Sequence, residues 1–112
     1  MKRVPARAEV RATQQAIRAL DHPLRQRVLV LLHRERRSVS YTDISKLLGV
    51  KDTSQIARHL KVLVGAALVG NFLERGEGGR LASVYFLTEK GTAWLRKVEF
   101  TSPERARALL EA

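Results

Sequence analysis

The stretch Thr42–Leu63, "TDISKLLGVKDTSQIARHLKVL", constrains this chain most. Two short amphipathic segments sit four residues apart, too close to separate into different layers. Thr42 is placed to cap the first helix, and Asp43 in its opening turn suits the helix dipole. Ile44, Leu47 and Leu48 form its apolar side, and Gly49 supplies a left-handed stop. Thr53 or Ser54 caps the second helix, which runs to Val64 or Ala66. Ile44, Leu48, Val50, Ile56 and Leu60 then fall into one shared core. That packing fixes the angle between the two helices and leaves the polar side of the second facing outward.

What flanks this pair narrows the fold further. "ALVGNFLER" (67–75) and "LASVYFLT" (81–88) are β-rich runs joined through "GEGG", a hairpin pattern. "RRSVSY" reads as one short strand before the helix pair. Val10, Ile17 and Leu20 recur at helical spacing over 8–20. "DHP" interrupts that helix, with His22 as cap or turn residue and Pro23 opening a second helix to about Arg34. Leu24, Val28, Leu31 and Leu32 are expected to face inward there. Thr88 caps a helix over "EKGTAWLRKVEF". "TSP" then breaks it, and Ser102 and Pro103 start another that ends with Leu109 and Leu110. The order is α-α-β-α-α-β-β-α-α, a mainly α chain with a small β-hairpin wing (α+β). Two short helices, a glycine-containing turn and a following hairpin describe a winged helix-turn-helix. Residues 1–7 read as a flexible basic arm, and 8–112 as one domain.

Composition supports a single nucleic-acid-binding class of domain. The chain has 112 residues and is 45% hydrophobic, enough for one modest core. Its longest apolar run is Val28–Leu32, far short of a membrane span. It has no cysteine, which excludes disulfides and thiolate metal sites. No secretory signal opens it, so a cytoplasmic location is the default expectation. The net charge of +10 implies an anionic partner, nucleic acid before membrane. A GC-rich genome or a thermophilic source is the bland alternative. The charge is uneven: residues 1–37 hold ten Lys or Arg against three acidic residues, and the other 75 hold eleven against eight.

Catalysis is not expected. Asp21, Asp43 and Asp52 sit at helix starts and turns, and Glu74, Glu77 and Glu89 lie on or beside the hairpin. None has the desolvated pocket a general acid needs. Ser38, Ser40 and Ser54 lack a histidine–carboxylate pair at triad spacing. "GEGG" lacks the lysine and hydroxyl residue of a phosphate-binding loop. His22, His33 and His59 are too scattered for a metal site, and no cofactor is implied.

"ALDHPLRQRVLVLL", "ARHLKVL" and "LVGNFLERGEGGRLASVYFLTEKG" together resemble the ArsR/MarR group of winged-helix transcriptional regulators. Tyr85, Leu87, Thr88, Lys90 and Gly91 form the "Y-x-L-T-x-K-G" entry to the next helix. The likeness spans about residues 16–98. It implies a dimeric, sequence-specific regulator that binds double-stranded DNA, with helix 53–66 in the major groove and wing 75–80 on the backbone. Gln55 and Arg58 would read bases, and Thr53, Ser54 and His59 would stand beside them. A solvated face is the bland reading for Gln55 and Arg58, and a half-buried histidine for His59. Lys51 and Lys61 suit phosphate, as do Arg75 and Arg80 on the wing. Lys2, Arg3 and Arg7 form an arm on DNA or a soluble tail. Helices 8–20 and 89–111 are expected to pair subunits through Val10, Ile17, Trp94, Leu95, Val98, Leu109 and Leu110. Trp94 suits core, interface or ligand cavity. Ala57 stands where that group often has a small hydroxyl, and the turn before Thr53 is one residue longer than usual. A non-specific architectural nucleic-acid binder and a protein-interaction module are the alternatives from other classes.

Overall fold

The apolar run Val28–Leu32 organises the molecule, because five consecutive apolar residues on a helix point to every side of it. All five are buried, at 0–2% exposure. The expected inward face of Leu24, Val28, Leu31 and Leu32 is therefore too narrow: Leu29 and Val30 are buried too, and Leu24 is half-buried. The structure, a computed structural model, describes residues 4, 6–100 and 102–111. It contains α1 (Arg7–Leu20), α2 (Pro23–Glu35), β1 (Val39–Ser40), α3 (Tyr41–Leu48), α4 (Thr53–Gly65), β2 (Val69–Arg75), β3 (Leu81–Leu87), α5 (Glu89–Lys97) and α6 (Pro103–Leu110). One 3-10 turn, Glu77–Gly79, forms the hairpin tip. Around α2 pack the five other helices and β3. The three strands form one antiparallel sheet in the order β1-β3-β2. The described residues form an α+β fold of six helices and a small sheet. No helix among the described residues is long and apolar enough to cross a membrane.

Local chemistry explains most boundaries. His22 Nδ1 accepts the Leu24 N–H at 3.1 Å, and Pro23 takes the first helical position of α2. Gly49 ends α3 in the left-handed region (φ 67°), with the Val50 N–H reaching back to the Ser45 carbonyl at 3.1 Å. Arg27 Nη2 donates to the Leu48 carbonyl at 2.9 Å, placing a cation at that same helix end and tying α2 to the turn. Ser102 caps α6 by accepting the Arg105 N–H at 3.2 Å.

Two caps differ from expectation. Ser40, not Thr42, caps α3, accepting the Asp43 N–H at 3.2 Å. The reason is the sheet: Ser40 pairs with Val84, so the strand runs straight into the helix and Tyr41 is already helical. Asp52, not Thr53 or Ser54, caps α4, accepting the Ser54 N–H at 3.1 Å and its hydroxyl at 2.6 Å. These bonds, first the one from the Ser54 hydroxyl, hold the Asp52 carboxyl below the usual aspartate range.

Two apolar assignments also change. Leu47 is 46% exposed, because α3 turns Ser45 inward beside Ile44 and Leu48 and satisfies its hydroxyl on the Tyr41 carbonyl. On α1 the buried residues are Leu20 and the small Ala16 and Ala19, which let α1 lie close to α2, while Val10 and Ile17 face outward. Leu95, expected at a subunit interface, is fully buried in the chain's own core. Trp94, Val98, Leu109 and Leu110 are half-buried against that core, with α6 lying on α2.

Candidate functional site

With Ile56, Leu60 and Leu63 buried, the opposite side of α4 is fixed in the open. Thr53, Ser54, Gln55, Ala57, Arg58 and Lys61 are exposed on it. Lys51 is exposed in the turn and shares a cavity of about 470 Å³ with Thr42, Lys46 and Thr53. α3 thus adds Thr42 and Lys46 to this edge, two residues the sequence reading left out of the site. The Tyr41 hydroxyl donates to the Thr53 carbonyl and fastens the start of α4 to α3.

The hairpin supplies the other wall. Its pairing aligns Asn71 with Tyr85 and Leu73 with Ser83. Residues directly opposite share a face, so Asn71, Leu73, Arg75, Ser83 and Tyr85 line one side of the ribbon. Asn71 Nδ2 donates to Ser83 Oγ at 2.9 Å, and Ser83 Oγ donates to the Tyr85 hydroxyl at 3.4 Å. A cavity of about 500 Å³ joins Asn71 and Tyr85 to Ala57, Lys61 and Val64 of α4. The sequence reading passed over Asn71 and Ser83 and took Tyr85 only as part of the helix-entry motif, because only the strand register shows that the three share the face toward α4.

Arg75 and Arg80 are exposed at the hairpin tip. Arg75 lies four residues beyond Asn71 on β2, about 13 Å further out at ordinary strand rise. Arg75 Nη1 folds back onto the Gly79 carbonyl at 3.3 Å. The site therefore has two parts: a groove between α4 and the strand face, and a basic tip well beyond it. Arg7, assigned to the arm, is instead the first residue of α1. Lys2 and Arg3 lie outside the described residues.

His59 is half-buried, its ring 4.2 Å from that of His22 with a 41° tilt. Burial, then His22, Arg25 and Arg58, hold the His59 imidazole below the usual histidine range. The folded state thus favours the neutral ring, while the unfolded chain takes up a proton near pH 6.5. The unfolded state then binds more protons below that pH, so stability falls as pH drops from about 6.5 through the folded value, and levels off beneath it. A lower thermal midpoint at about pH 5.5 than at about pH 7.5 is expected, with a shallower drop in His59→Gln. An identical drop in both proteins would remove His59 as the cause.

A family model described as Domain of unknown function (DUF7347) matches residues 13–98. The chain belongs to this family. The DUF7347 match takes in α2 to α5, all three strands and the second half of α1, and so every residue of the groove and the hairpin tip. It leaves out α6. The comparison with curated proteins returns no match.

Proposed function

We propose that this chain is a sequence-specific double-stranded DNA-binding regulator of the winged helix-turn-helix type, similar to ArsR/MarR regulators. In this reading α4 enters the major groove, α3 braces it, and the β2–β3 hairpin is the wing. The observation that carries the reading is the exposed polar side of α4, held by α3 at one end and walled by the strand face at the other. Gln55 and Arg58 offer amide and guanidinium donors of the kinds that pair with base edges. Lys51, Lys61, Arg75 and Arg80 surround them with charge suited to phosphate. Val10 and Ile17, exposed along α1, suit a twofold dimer interface, which sets two α4 helices about one DNA turn apart.

A second reading, non-specific binding, draws on one observation. The Ser54 hydroxyl is occupied by Asp52 at 2.6 Å and Ala57 has no polar group, so few side chains remain to read bases. Selection of bound sequences from a random DNA pool separates the two. A palindromic consensus is the expected outcome. Recovery of an unenriched pool, with affinity falling steeply and equally with salt for every sequence, would leave only the second reading.

A further inference from the structure

The flank of α4 that faces away from the hairpin carries a group of basic side chains that the groove does not use. Ala57, Lys61 and Val64 border the strand face. At about 100° per helical residue, His59 lies on the opposite flank. There its ring meets that of His22, which caps α2, at a centroid separation of 4.2 Å. Arg25 of α2 and Arg58 of α4 complete the group, and both act on His59 as like charges. Among the described residues no carboxylate is set against His59.

The group is also short of partners. Arg25 is half-buried, and its Nε is buried with no hydrogen-bond partner among the described residues. Arg27, two residues on, has a buried Nε of the same kind, but its Nη2 is engaged by the Leu48 carbonyl at 2.9 Å. The side chains of Arg25, Arg58 and His59 make no hydrogen bond or ion pair among the described residues. His22 Nδ1 accepts the Leu24 N–H at 3.1 Å, which keeps the ring proton on Nε2 and leaves that atom a donor. Basic groups gathered without a carboxylate repel one another and lose hydration, and an anion relieves both costs.

We propose that His22, Arg25 and His59 hold a backbone phosphate of bound DNA, on the strand opposite the one that the hairpin meets. This contact rests on the DNA reading. A major groove about 12 Å wide is edged by phosphates on both sides, and a helix lying in it turns one flank to each. Lys61 and the hairpin serve one edge, and the basic group serves the other. The planar guanidinium of Arg25 suits two phosphate oxygens at once, and a protonated His59 adds a charge-assisted bond. In the free chain burial, then His22, Arg25 and Arg58, hold the His59 imidazole below the usual histidine range. A phosphate beside the ring favours its charged form, so the complex binds more protons than the free chain. Affinity for DNA therefore rises as pH falls toward the free-state value, and levels off beneath it.

Fluorescence anisotropy with the duplex selected from the random pool, read at about pH 6, 7 and 8 and constant salt, tests it. The full chain should bind more tightly at lower pH, by up to about tenfold per pH unit for one proton taken up per subunit. His59→Gln should flatten that slope, whereas His33→Gln should keep it. Arg25→Ala should weaken the duplex about tenfold at about pH 6, and Arg25→Lys should recover most of the loss by restoring the charge. Tight duplex binding that ignores pH, or an unchanged slope in His59→Gln, would overturn the phosphate contact and leave the DNA reading standing. No duplex binding at any pH would overturn both. Thermal stabilisation by about 10 mM inorganic phosphate, lost in Arg25→Ala, together with pH-independent duplex binding would give the group to free phosphate instead of DNA.

Discussion

Gly91→Ala is expected to remove roughly 3 kcal/mol or more of folding stability, read as a large fall in the urea midpoint. A Cβ at residue 91 would stand 2.2 Å from the Leu68 carbonyl oxygen and 2.7 Å from Leu87 Cδ1. The leucine side chain can give way, but the carbonyl cannot. It accepts the Thr88 hydroxyl at 3.0 Å and the Thr88 N–H at 3.2 Å, and Thr88 in turn caps α5 through the Gly91 N–H at 3.0 Å. Lys90 adds a bond from its ammonium to the Ala66 carbonyl at 3.0 Å. Residues 88–91 thus fasten α5 to the segment that links α4 with β2. To admit one methyl group the chain must break some of these bonds, each worth about 1 kcal/mol, or lift α5 and its buried Leu95. Against a typical total of about 5–15 kcal/mol, that is a large share. Gly65→Ala is the control. Nothing lies within 4 Å of its Cβ, and alanine suits the end of a helix, so its midpoint should hold or rise slightly. Equal midpoints for the two variants would mean that close approach at Gly91 does not hold the fold.

The contrast between Gly91 and Gly65 also shows what kind of information a sequence carries. Chain punctuation is local, and it was readable: Pro23 and Ser102 open helices, Gly49 closes one, and Thr88 starts another, each through atoms within five residues. Choices set by distant contacts were not. Ser40 outcompetes Thr42 as a cap because β1 pairs with β3, more than forty residues later in the chain. Leu47 looks like a core residue by spacing, yet Ser45 takes the inward position once α2 fixes how α3 rotates. The candidate site divides the same way. The polar side of α4 follows from the positions of Ile56, Leu60 and Leu63 alone. Its opposite wall, Asn71 and Tyr85, needs the register of β2 against β3.

The sharpest expected effect on binding is a difference between two neighbours on α4, and it rests on the DNA reading. Arg58→Ala should relax preference at one base position of the selected consensus, by about 1–3 kcal/mol or roughly 5- to 150-fold. Lys61→Ala should weaken binding to every sequence alike and reduce the salt dependence by about one phosphate contact. The assignment follows from chemistry and place. Arg58 is exposed on the open side of α4, and its planar fork can bridge the two acceptors of one guanine edge. Lys61 lies about one turn further along and faces Asn71 and Tyr85 across the groove, where a point charge suits a phosphate that passes between helix and hairpin. Neither side chain contributes to the core, so both variants should unfold at the wild-type midpoint, and any change in affinity belongs to the interface. Competition binding against single-base variants of the consensus, repeated at two salt concentrations, separates the two roles. Uniform loss in Arg58→Ala would assign that arginine to the backbone and leave Gln55 as the exposed base reader on α4. Uniform loss in Gln55→Ala as well would end the case for specific recognition by α4 and favour binding by charge alone.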